Sequence, residues 1–348
     1  MKKKKIKSDI TVIIPFYNGK SYIKRALLSL KKEILKSDQI IIINDGSTRL
    51  EDIEYLRRII IDFPIPIELV NTKNNGQSMA RNVGAKLAKT KFITFLDQDD
   101  MAYPLRNMVL KNCLENAMLG DSSCCYAYGD VTRINKNDYV LENNFSSKRE
   151  SKINNKKNCF NFETKKYIYK DLFRLVGSAL FVRKKFLESG GFDPNLIGYE
   201  DDDLFLNLHL SKYTFAKTKQ EVLYWRLNRF STSYTDRFKI SRFKYFKKLL
   251  KLFKKNHSHF FELIVTRFMF RFTIDLFMPL FNLSIFRGNF LKSIKCSLSI
   301  FKKSNKIFKK LLSKTIQNNF IKLIYFFKIY ILNKILYFIG LSKLVLLK

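Results

Sequence analysis

The sequence predicts an α/β fold, a mostly parallel sheet with helices on both faces, followed by a C-terminal α-helical region. Three observations predict it. Short runs between residues 10 and 96 are apolar throughout instead of alternating, the pattern of strands buried on both faces. Stretches with apolar residues at helical spacing separate these runs, and parallel strands need such crossovers. Beyond about residue 240 the pattern is helical throughout, rich in Phe, Ile, Leu and Lys.

The elements follow in order. Residues 10–14 (ITVII) are a β-branched run that stops at Pro15 and read as a buried strand. Ile23, Ala26, Leu27, Leu30 and Ile34 recur at helical spacing. Residues 39–43 (QIIII) form the second strand, ending in Asn44, Asp45, Gly46 and Ser47, and Ile53, Leu56 and Ile60 mark the next helix. Residues 67–70 (IELV) are the third strand, Gln77 to Lys89 a helix, and residues 92–96 (FITFL) the fourth strand, ending in Asp97, Gln98, Asp99 and Asp100. Residues 142–170, polar and rich in Lys and Asn, read as a mobile loop, and 171–236 resume a globular pattern. The expected division is a domain at 1–238, with halves at about 9–100 and 101–238, and a basic, apolar helical region at 239–348.

In open α/β sheets ligands bind beyond the carboxyl ends of the strands. Three polar clusters follow strands here: Tyr17 and Asn18, then Asp45 to Ser47, then Asp97 to Asp100. They are expected to converge in one crevice.

Composition bounds the partners. Of 348 residues, 46% are hydrophobic, enough for a large core, and 65 Lys and Arg against 30 Asp and Glu give a net charge of +35. Such an excess suits polyanionic company, either nucleic acid or an acidic membrane surface. It is concentrated late: from residue 241 onward 23 Lys and Arg face only Glu262 and Asp275. Carboxylate chemistry therefore belongs to the first two thirds. Five cysteines without a CxxC pair read as reduced thiols and not as a zinc site. The basic start has a short apolar run that stops at Pro15, which argues against an export signal.

Asp97 and Asp99, one residue apart on a turn, can chelate a hard cation whose shell phosphate oxygens and water would complete. A solvated turn capping a helix has the same appearance. Asp45 can accept hydrogen bonds from a base or ribose, with Gly46 permitting the tight turn, or can simply cap the following helix. Residues 75–82 supply another helix start with Arg81 directed inward, suited to a diphosphate. Glu200 to Asp203 precede an apolar helix; their mutual repulsion raises the pKa of one of them, as a general base needs, while the helix dipole favours such a cluster in any case.

Six segments in this order resemble the family 2 inverting glycosyltransferases with the GT-A fold: TVIIPFYN (11–18), INDGST (43–48), NNGQSMARNVG (74–84), FLDQDD (95–100), VGSALFVRKKFLESGGFD (176–193) and GYEDDDLFLNL (198–208). The resemblance covers about residues 9–236 and assigns roles to matching positions. Pro15, Tyr17, Asn18, Asp45, Gly46 and Ser47 would line the nucleotide, Arg81 and Asp97 would approach the donor phosphates, and Asp97 and Asp99 would hold Mn2+ or Mg2+, with Asp99 the more direct ligand. Gly177, Ser178 and Glu200 would lie near the acceptor, and Asp201 would be the general base. The implied partners are a nucleotide diphosphate sugar, by analogy a UDP-sugar, and a glycan or lipid-linked acceptor such as a surface-glycan precursor. One departure stands out: Asn228 occupies a position where such enzymes commonly carry a His. The chain also lacks the QxxRW signature of processive synthases, so transfer of one or a few sugars is expected.

The tail is expected to lie on an anionic membrane with Lys reaching the headgroups, because Arg267, Arg271, Lys322, Lys328 and Lys334 interrupt its apolar segments. A small helical domain facing water has the same pattern. The expected location is cytoplasmic, peripheral to the inner face of the cell membrane. Two other classes compete: a nucleotidyltransferase acting on sugar phosphates, and a nucleic-acid-binding protein driven by charge. The latter leaves the ordered carboxylates unexplained, and no nucleic-acid partner is expected.

Overall fold

A computed structural model describes residues 7–150, 174–227 and 236–253, with scattered helical residues between Ile264 and Lys303. Most of the expected loop at 142–170, Asn228 and nearly all of the tail lie outside the described residues. The elements run β1 (Ile10–Phe16), α1 (Lys20–Lys32), β2 (Gln39–Asp45), α2 (Leu50–Ile60), β3 (Ile67–Thr72), α3 (Gln77–Leu87) and β4 (Phe92–Phe95). There follow β5 (Met101–Ala102), α4 (Arg106–Gly120), β6 (Cys124–Ile134), β7 (Val140–Glu142) and α5 (Phe145–Glu150). After a single 3-10 turn at Val176–Ser178 come β8 (Ala179–Val182), α6 (Arg183–Glu188), α7 (Glu200–Leu210), β9 (Thr214–Arg226) and α8 (Asp236–Phe253).

The strands form one sheet in the order β3-β2-β1-β4-β8-β6-β9-β5, with β7 paired to β6. The first four strands are mutually parallel, as their apolar runs predict. Beyond β4 the sheet is mixed: β8 is antiparallel to β4 and β6, while β6 and β9 are parallel to each other. Helices cover both faces. Ile10, Val12, Ile14 and Phe16 join a core with Leu27, Leu56, Leu110 and Leu114 of α1, α2 and α4. On the other face Gly84 of α3 lies so close to β1 that an added Cβ would meet Ile13 Cγ2 at 2.4 Å.

From β1 the chain moves outward to β2 and β3, then crosses to β4 on the other side of β1. That reversal opens a crevice above the ends of β1 and β4. Pro15 sits within β1, paired in register with Ile43, but β4 pairs only as far as Ile13, so the amide that Pro lacks has no strand to serve on that side.

The chain divides into a unit at Met1–Tyr245 and a second at Phe246–Lys348. The expected boundary at 238 falls inside α8, whose first residues belong to the first unit: Ser241 Oγ accepts the Ile197 amide at 2.8 Å and Tyr245 stacks on Tyr199. In the second unit Phe246, Phe268 and Phe272 pack on one another. No helix among the described residues is long and apolar enough to cross a membrane.

Candidate active site

Side chains lace the loops at the strand ends to one another. Gln98 in the turn after β4 accepts the Tyr17 amide at 2.9 Å and donates to the Tyr17 carbonyl at 3.1 Å. Asn18, at φ 47°, donates its amide to Ser47 Oγ and accepts the Thr48 and Arg49 amides on Oδ1. Asp45 accepts the Asn75 amide at 2.8 Å and the Gly76 amide at 2.9 Å, one on each oxygen. Gly46 has φ 64°, and a Cβ there would stand 2.6 Å from the Asn74 nitrogen, so glycine is required. Tyr17 is 42% exposed at the rim of the crevice, whereas Pro15 and Asp45 are buried. Pro15 therefore shapes the strand end and does not offer an open surface. Asp45 fastens the loop after β3, leaving only second lone pairs for a ligand.

The centre of the site is Arg81, 2% exposed. Its Nη2 lies 2.6 Å from Asp97 Oδ1, and its Nη1 lies 3.4 Å from Glu200 Oε1 and 3.6 Å from Asp201 Oδ1. The guanidinium also sits over the Phe192 ring. Burial alone would lower its pKa, but Asp97, Asp201 and Glu200 outweigh that and raise it. The arginine expected on phosphate is thus occupied by three carboxylates, because helix α3 carries it beneath the turn and the start of α7. Glu200 is further held by Gln77 Nε2 and the Gly198 amide. A continuous path therefore links Asp45, the Gly76–Gln77 segment, Glu200, Arg81 and Asp97.

Asp201 accepts the Val176 amide on Oδ2 at 3.1 Å, and its buried Oδ1 has no hydrogen-bond partner among the described residues. Burial pushes its pKa up to about 8; Arg81 opposes this, and Glu200 and Asp97 add to it. A carboxylate with one oxygen outside any hydrogen bond and a raised proton affinity is suited to taking a proton near neutral pH.

Gly177 and Ser178 lie buried in the 3-10 turn, and Ser178 Oγ donates to the Leu175 carbonyl at 2.8 Å. The expected acceptor contact through these residues is not open. The turn instead supplies the Val176 amide to Asp201. Arg106 holds it in place: its buried Nη2 donates to the Gly177 and Phe95 carbonyls at 2.8 and 2.6 Å and to Thr94 Oγ1. Sequence reading missed Arg106 and gave Gln77, Gln98 and Arg226 no individual role, because their partners are distant in the chain. Gln77, at the marked helix start, and Gln98, inside the acidic motif, carried a local signal.

Asp97 is 38% exposed on its side chain. Asp100 is buried, and burial, then the Asp99 and Asp97 charges, push its carboxyl well above the usual range against the pull of Arg226. Among the described residues no three His, Cys, Asp or Glu side chains stand together to hold a metal. Asp97 and Asp99 alone are a hard-oxygen pair fit for a divalent ion that keeps waters and binds phosphate. Their mutual repulsion with Asp100 is a charge density that a cation would relieve. Cys113, Cys124 and Cys125 are free thiols.

Residues 11–191 match the family described as glycosyl transferase family 2. YibD, an uncharacterized glycosyltransferase of Escherichia coli (strain K12), is 33% identical over 129 residues, 36% of this chain and 37% of that protein. MJ1057, an uncharacterized glycosyltransferase of Methanocaldococcus jannaschii, is 26% identical over 254 residues, 72% of this chain and 81% of that protein. The match to YibD spans well under two thirds of that relative's length. The crystal structure of S. aureus TarS 1–349 in complex with UDP-GlcNAc shares the fold at TM-score 0.51 and 14% identity, covering 85% of this chain and 81% of that one.

Proposed function

The chain belongs to glycosyl transferase family 2 and has the GT-A fold, and on that premise we propose that it transfers a sugar from a nucleotide diphosphate donor to an acceptor hydroxyl with inversion. The observation that carries this reading is the Arg81 junction, which joins Asp97 of the turn after β4 to Asp201 of α7. The leaving group and the attacking hydroxyl would thus be served from one buried cation.

Asp201 takes the proton from the acceptor hydroxyl. The oxygen attacks the anomeric carbon as the bond to the diphosphate breaks, and the electron pair leaves with the nucleoside diphosphate. A single displacement inverts the carbon and needs no enzyme nucleophile. Tyr17, Asn18 and Ser47 hold the nucleotide at the strand ends, and Arg81 orients Asp201. Asp97 and Asp99 would hold Mn2+ or Mg2+, which when bound offsets charge on the diphosphate. A UDP-sugar is the first donor to try, because TarS was crystallised with UDP-GlcNAc.

The acceptor in this reading is a glycan or a lipid-linked surface-glycan precursor, and the enzyme works at the cytoplasmic face of an anionic membrane. Two features support this placement: the basic surplus after residue 241, and a row of exposed Arg237, Lys244, Lys247 and Lys251 along α8. The test is a panel of nucleotide sugars with and without manganese, read by nucleoside diphosphate release. Release from one donor supports transfer. Pyrophosphate release would identify a nucleotidyltransferase, and silence across the panel would reject the reading.

A further inference from the structure

Arg226 ends β9 far along the chain from the acidic turn, and its side chain is 0% exposed. Its amide donates to Asp100 Oδ1 at 2.9 Å and its Nε to the Asp99 carbonyl at 2.7 Å. Its Nη1 donates to the Asn135 and Lys136 carbonyls at 2.9 and 3.3 Å and pairs with Asp138. The guanidinium lies 5.2 Å from the Tyr22 ring centroid on α1. One side chain thus joins the turn after β4, the β6–β7 hairpin tip and α1.

The hairpin tip is itself braced. Asn135 Oδ1 accepts the Asn137 and Tyr139 amides at 2.8 and 3.1 Å, and the Asn135 amide donates to the Tyr139 carbonyl at 2.9 Å. Arg226 therefore ties the turn to a hydrogen-bonded hairpin tip. It grips the turn by the backbone carbonyl of Asp99. Asp97 is held separately, through Arg81.

We propose that Arg226 is a positioning residue that sets the Asp97–Asp99 turn at the angle needed to receive a metal-bound diphosphate. This rests on the transferase reading above. A group displaced by about 1 Å can lose on the order of a hundredfold in function. A planar fork with donors in fixed directions is hard to replace, and lysine keeps the charge but not the fork.

The test uses the full chain with Arg226→Lys and Asp138→Asn. The readouts are the thermal midpoint, equilibrium binding of Mn2+ with UDP, and the KM and kcat for the active donor. Asn tolerates the left-handed backbone of residue 138, at φ 71°, so the second variant keeps the hairpin even if the first does not fold. Arg226→Lys is expected to melt within a few degrees of wild type, to bind Mn2+–UDP about tenfold more weakly and to raise the donor KM similarly, with kcat little changed. Asp138→Asn is expected to weaken binding about two- to threefold. A lowered midpoint with unchanged binding per folded molecule would make Arg226 merely structural and overturn the proposal. So would unchanged binding in Asp138→Asn when Arg226→Lys fails to fold. A wild type that binds no nucleotide diphosphate sugar overturns the functional reading along with this one, whereas a working wild type matched by both variants overturns only this one.

Discussion

The acidic turn Asp97–Asp100 and the acidic helix start Glu200–Asp203 look alike in the chain, and the fold treats them differently. In the turn, Arg226 grips the backbone of Asp99 with its side chain and the Asp100 carboxylate with its amide, while Asp97 pairs with Arg81. In the helix start, Arg81 sits among the carboxylates themselves and lies within 4 Å of Glu200 and Asp201. The first arrangement gathers Asp97, Asp99 and Asp100 in one turn, with Asp97 partly exposed and paired with Arg81 on one oxygen. The second shares one positive charge among several carboxylates and leaves Asp201, buried, with a high proton affinity. Arg81 pairs with both clusters, and what separates a cation site from a base is exposure: Asp97 is partly exposed, whereas Asp201 Oδ1 is buried.

The sharpest way to break this contrast is Asp201→Asn. Its turnover is expected to fall by about 10²–10⁴-fold while donor binding persists, measured by nucleoside diphosphate release and equilibrium binding. Near-normal transfer would remove Asp201 as base. Asp99→Asn, or excess chelator with the wild type, should instead weaken donor binding as well as turnover, and added manganese should rescue only the chelated wild type. Full activity in excess chelator would remove the metal.

A third prediction concerns pH. Asp201 must be deprotonated to act, and its pKa is raised to about 8 chiefly by burial. The kcat/KM for the free enzyme should therefore climb as pH rises through about 8, not level off near the ordinary carboxylate range. A plateau from pH 5 upward would show that the base titrates normally.

The smallest effect expected lies outside the site. Glu33, at the end of α1, is fully buried, accepts Asn107 Nδ2 at 2.8 Å, and has its pKa raised to about 8 by burial, against Arg106 and Asn107. Its folded pKa lies above its unfolded value, so its contribution to stability is complete below the unfolded pKa and is lost as pH rises through about 8. The wild-type melting temperature should fall across that window, and Glu33→Gln should flatten the fall and melt a few degrees higher at pH 9. Parallel curves for the two proteins would show that Glu33 titrates normally.

By itself the chain determined the first four strands and the helices between them, because unbroken apolar runs and helical periodicity are local properties set by burial on two faces, whereas the five later strands were not legible in it. It also marked Asp97, Asp99 and Asp201, since strand-end and helix-start carboxylates have local signatures. Only the tertiary structure decided what surrounds them. Nothing near Arg81 in sequence says that three acids will meet it, nor that Ser178 is buried and Val176 offers its amide instead. Arg226 and Arg106 act across 127 and 71 residues of chain. Such partners are set by how the strands pair and how the helices pack on them, and no local pattern of residues encodes that.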